Sequence, residues 1–88
     1  MRPEELKSRI QTIGADASVE VTDTTGTEDH YEAIVVTEKF AGKSRMDRHQ
    51  MIMALLMNEM RSGDVHALSL KTYTPEEWNE FKNRKQGK

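Results

Sequence analysis

At 88 residues the chain has room for one domain and one small core, and its formal net charge of −2 gives no overall attraction to a polyanion. The absence of cysteine excludes disulfides, thiol catalysis and a thiolate metal site made by this chain alone. No apolar run approaches the ~20 residues that span a bilayer, and the opening MRPEELKSRI lacks the apolar stretch of a signal peptide; a cytoplasmic chain without membrane contact is expected.

Taken in order, Pro3 to Ile13 reads as a short helix with Leu6, Ile10 and Ile13 on one face, and Gly14 stands where it could stop. Ser18 to Asp23 alternates, with Val19 and Val21 pointing one way as in a half-buried strand. The connection TTGTED, residues 24–29, is longer than a tight hairpin needs. Tyr31 to Glu38 reads as a second strand, and its AIVV centre suggests burial on both faces.

A long helix follows, from Arg45 to Arg61. Ser44 with Asp47 three residues on is a helix-start signature, and Gly63 suits the stop. At 100° per residue the apolar arc takes in Met51, Leu55, Ile52, Leu56, Met60, Met53 and Met57. Asp47, Gln50, Ala54, Asn58 and Arg61 form the solvent face. So wide an arc suits a helix wedged between a sheet and its neighbours, or one whose methionine flank adapts to a partner. Val65 to Thr72 reads as a third strand, and Thr74-Pro75-Glu76-Glu77 opens a last helix. The domain is expected over 1–81, with the basic segment 82–88 as a frayed tail. The order α-β-β-α-β-α predicts an α+β fold: a three-stranded mixed sheet with helices on one face.

Little familiar chemistry survives inspection. Gly42-Lys43-Ser44 ends like a P-loop, but Thr37 stands where the other glycine is needed. Gly42 to Arg45 reads G-K-S-R, with arginine in place of the second glycine of the RNA-clamping G-x-x-G loop. Lys43, Arg45 and Arg48 could still form a basic patch at the helix entrance, partly cancelled by Asp47. The carboxylates are scattered, no Ser-His-Asp grouping can be defended, and no catalytic residue is assigned.

The histidines separate by topology. A helical crossover makes the second and third strands parallel, so His30, just before one, and His66, at the start of the other, belong near the same edge. His49, early in the long helix, belongs toward the opposite end in a packing or capping role. Two imidazoles without cysteine are half a metal site, to be completed by another molecule.

The strings F-A-G-K-S-R-M-D-R-H, from Phe40, and V-H-A-L-S-L-K-T-Y-T-P-E-E-W, from Val65, resemble the BolA family, in particular its IbaG-like branch. The resemblance implies a class II KH-like fold and pairing with a monothiol glutaredoxin around a bridging [2Fe–2S] cluster. In that arrangement glutaredoxin and glutathione supply thiolates, and the BolA-like chain supplies His66 together with a ligand from the loop between the first two strands, where this sequence has His30. No cofactor is then expected in the isolated chain. A neutral imidazole in place of thiolate leaves the cluster less negative, raises its potential and makes ligation proton-sensitive. The leading expectation is a non-enzymatic adaptor in iron–sulfur trafficking or iron homeostasis. The alternative is a nucleic-acid-binding transcriptional regulator acting through the KH-like fold, with DNA as its possible partner.

Overall fold

The computed structural model describes residues 2–26, 30–63, 65 and 67–87, with side chains described through Arg84. Helix α1 (Pro3–Gln11) leads to strands β1 (Ser18–Asp23) and β2 (His30–Val36), then a 3₁₀ turn at Glu38–Phe40. Helices α2 (Arg45–Leu55) and α3 (Met57–Ser62), strand β3 (Ala67–Tyr73) and helix α4 (Pro75–Gly87) complete the chain. The sheet order is β1-β2-β3, with β1 antiparallel and β3 parallel to the central β2. The mixed sheet and the parallel pairing expected from the crossover are both present.

Local chemistry explains the element ends. Ser44 Oγ accepts from the Asp47 amide at 3.1 Å and caps α2. At α4 the Thr74 hydroxyl accepts from the Glu77 amide while the Glu77 carboxylate accepts from the Thr74 amide, a reciprocal capping box. Gly63 takes the left-handed conformation, φ 86°, after α3. Gly14 plays a different part from the one expected. Helix α1 ends earlier, where Thr12 donates its hydroxyl to the Arg9 carbonyl. A Cβ at Gly14 would lie only 2.9 Å from both Asp16 Oδ1 and Lys39 Cε, so the position serves close approach.

Val19 and Val21 of β1 pair with Val35 and Ala33 of β2 and share a face with Tyr31. Against that face pack Leu6 and Ile10 of α1, Phe40, and Ile52 and Leu56 of the helical crossover. Helix α4 packs against the outer strand β3, where Tyr73, Trp78 and Phe81 place their rings 5.1–5.7 Å apart. The backbone of α4 is helical from Pro75 to Gly87.

Other boundaries depart from the sequence reading as well, and β3 runs Ala67–Tyr73 where Val65–Thr72 was read. Strand β2 ends at Val36; Thr37 turns the chain, its hydroxyl accepting from the Lys39 amide and donating to Asp16 at 2.9 Å. The long helix is interrupted at Leu56 (φ −112°, ψ 16°), whose buried side chain fills the core at the break. Beyond it α3 begins, and Met57 at its start is 53% exposed. The helix also carries the buried Glu59, which meets Arg9 of α1 at 2.8 Å.

Candidate functional site

The first candidate histidine lies inside the sheet rather than in a loop. His30 opens β2, and its carbonyl accepts from both the amide and the hydroxyl of Thr24, at 2.9 and 3.2 Å. These bonds close the base of the β1–β2 connection and hold the His30 backbone firmly. In the parallel ladder His30 stands opposite Ala67, with Tyr31 opposite Leu68. His30, Tyr31 and Thr24 line a shallow cleft together with Ala67, Leu68 and Ser69. His66, the other ligand candidate, lies outside the described residues; in the sequence it immediately precedes Ala67.

His49 is half-buried on α2 and lines a separate cleft with Arg45, Phe81 and Leu70 to Tyr73 of β3. Those strand residues pair with Ala33 to Val36, at the far end of β2 from His30. The separation expected from connectivity is the one observed.

The three basic candidates at the α2 entrance divide. Lys43 and Arg45 are exposed. Arg48 is not a free cation. Its guanidinium forms a two-point pair with Glu77, Nη1–Oε1 2.7 Å and Nη2–Oε2 3.1 Å. It also donates to the carbonyls of Lys43 and Thr72. Hydrogen bonding from Arg48, with a second bond from the Thr74 amide, lowers the Glu77 pKa to about 2. The same Glu77 hydrogen bond raises the Arg48 pKa. Arg48 therefore ties the start of α2 to the starts of α4 and the end of β3, a role that charge counting along the sequence misses. The capping signature at Thr74 already placed Glu77 at that helix start; only the fold brings α2 beside it.

Among the described residues no group of three or more histidine, aspartate or glutamate side chains could hold a metal ion. Also among the described residues, no helix is long and apolar enough to cross a membrane.

Comparison with known proteins agrees with this architecture. The model of the BolA-like protein family matches residues 4–77. The chain belongs to the BolA family. It is 35% identical to the acid stress protein IbaG of Escherichia coli, over 81% of this chain and 86% of that protein. It is 43% identical to the E. coli DNA-binding transcriptional regulator BolA over 60% of this chain, a segment spanning half of the regulator's length. A BolA homologue from Coxiella burnetii superimposes with a TM-score of 0.76 at 35% identity, covering 90% of this chain and 97% of that one. The BolA and IbaG-like assignments made from the two motif strings are thus secured.

Proposed function

We propose that this BolA-family chain is a non-enzymatic, cytoplasmic partner of a monothiol glutaredoxin, with which it shares a [2Fe–2S] cluster in iron–sulfur trafficking or iron homeostasis. The observation that carries the reading is the parallel register of His30 with Ala67, the residue that follows His66 in the chain. Two histidines so related can serve one exchangeable cargo, provided the partner and glutathione bring the thiolates this chain lacks. His30 and His66 are the residues that would hold the cluster on this side. The bound cluster would supply electron-transfer and iron-donating chemistry; the chain's own part is to offer imidazole nitrogens, that of His30 from the start of β2.

The test is visible circular dichroism of the complex with a cluster-loaded monothiol glutaredoxin. His66→Ala should change the cluster spectrum and weaken the holo complex more than the apo complex, leaving apo melting unchanged. His30→Ala should act in the same direction. A His66→Ala spectrum and affinity equal to the parent's would remove the shared-cluster reading.

The second reading, DNA binding, is favoured by the name of the E. coli relative and by the exposed Lys43 and Arg45. With Arg48 committed to Glu77, few cations remain for phosphate at this helix entrance. A DNA shift that disappears between low and moderate salt would reflect phosphate contacts alone. A shift that survives physiological salt would favour the regulator.

A further inference from the structure

Along α2 and α3, Asp47, Gln50, Ala54, Met57 and Arg61 are all exposed and follow one another at spacings of three and four. That is the stripe by which one helix meets another. The stripe borders a groove to which Met53 and Met60 add their half-buried side chains. The interruption at Leu56 lies midway along it, and Met57 projects from its rim, 53% exposed. Neither Asp47 nor Arg61 has an ion-pair partner among the described residues. One stands seven positions before Ala54, on α2, and the other seven after it, on α3 beyond the break.

We propose that this face docks a second copy of the chain, α2–α3 against α2–α3, antiparallel about a two-fold axis near Ala54. A two-fold interface must be complementary to itself, and the order of charges on this stripe meets that condition. Reversing the direction sets Asp47 of each copy opposite Arg61 of the other; an in-register parallel copy would set like charges together. Ala54, at the axis, lets the two backbones approach. Met57 of each copy enters the groove of the other, where its unbranched thioether adapts to the irregular wall left by the break at Leu56. The groove shares no residue with the cleft at His30, so self-association leaves that edge of the sheet open.

Sedimentation velocity of the full chain over a rising concentration series tests the proposal. The parent should show a reversible monomer–dimer equilibrium that weakens with added salt. Asp47→Arg and Arg61→Asp each place like charges opposite one another, and each should weaken self-association by about tenfold or more, since two exposed pairs become two repulsions. An equimolar mixture of the two variants restores both opposite-charge pairs and should associate as tightly as the parent. A merely unfolded or destabilised variant cannot give that rescue. Should Asp47→Arg disturb the α2 start and fail to fold, Met57→Glu, at an exposed site, should abolish the dimer while circular dichroism stays native. A parent that remains monomeric at every concentration overturns the proposal, as does a mixture no tighter than either variant alone or a dimer indifferent to Met57→Glu.

Discussion

Glu77 accepts hydrogen bonds from Arg48 and from the Thr74 amide, and together these hold its pKa at about 2, well below the ordinary 4.5. Because the folded value lies below the unfolded one, its stabilisation is complete above pH 4.5 and is lost as pH falls toward 2. Asp16 has the same sign, its pKa lowered first by the Glu38 amide and then by the Thr37 hydroxyl. Glu77→Gln should flatten part of the acid limb in a series of thermal melts across that window. At neutral pH it should cost about 1 kcal/mol, the upper end for a pair with one partner largely exposed. Thr37→Val keeps the shape of a buried side chain but leaves the Asp16 carboxylate and the Lys39 amide short of a partner. A lower midpoint of urea denaturation is expected.

The helical crossover decides how the core closes. Ile52 and Leu56 are fully buried, whereas Lys43, in the turn that leads into α2, is exposed. Leu56→Ala should therefore lower stability by roughly 2–5 kcal/mol, while Lys43→Ala should lie within about 0.5 kcal/mol of the parent. Equal denaturation midpoints for the two variants would mean that the helix faces are misassigned. The apolar arc read from the sequence is right for Ile52, Leu55, Leu56 and Met51, which lie in or against the core. It fails for Met57, because a uniform 100° step does not survive the break at Leu56. Buried Glu59 has the same origin: α3 lies beside α1, where Arg9 neutralises one carboxylate oxygen.

For the molecule as a whole, the sheet separates two kinds of histidine. His30 stands at the end of β2 that pairs with Ala67, and His49 packs where Leu70 to Tyr73 pass the other end. His49→Ala should lower the apo melting temperature with no change in the cluster dichroism of the glutaredoxin complex. His30→Ala should do the reverse. Melting and dichroism measured on the same two variants check the division, and an identical response of both would dissolve it.

Much of this followed from the chain alone. Capping boxes, alternation and crossover length are local properties, so the element order, the parallel pairing of β2 with β3 and the family could all be read from short stretches. The pairing of the start of β2, at His30, with the start of β3, at Ala67, was legible too, because parallel strands must begin at the same end of a sheet. What needed the tertiary structure was every contact between residues distant in sequence. Nothing near Arg48 announces that Glu77, 29 residues on, will neutralise it. Nothing near Gly14 announces Lys39, and nothing near Glu59 announces Arg9. The break at Leu56 belongs with these: the local pattern favours one continuous helix, yet fully buried Leu56 leaves helical geometry. Burial and charge pairing act through space, and only the closed fold determines which side chains share it.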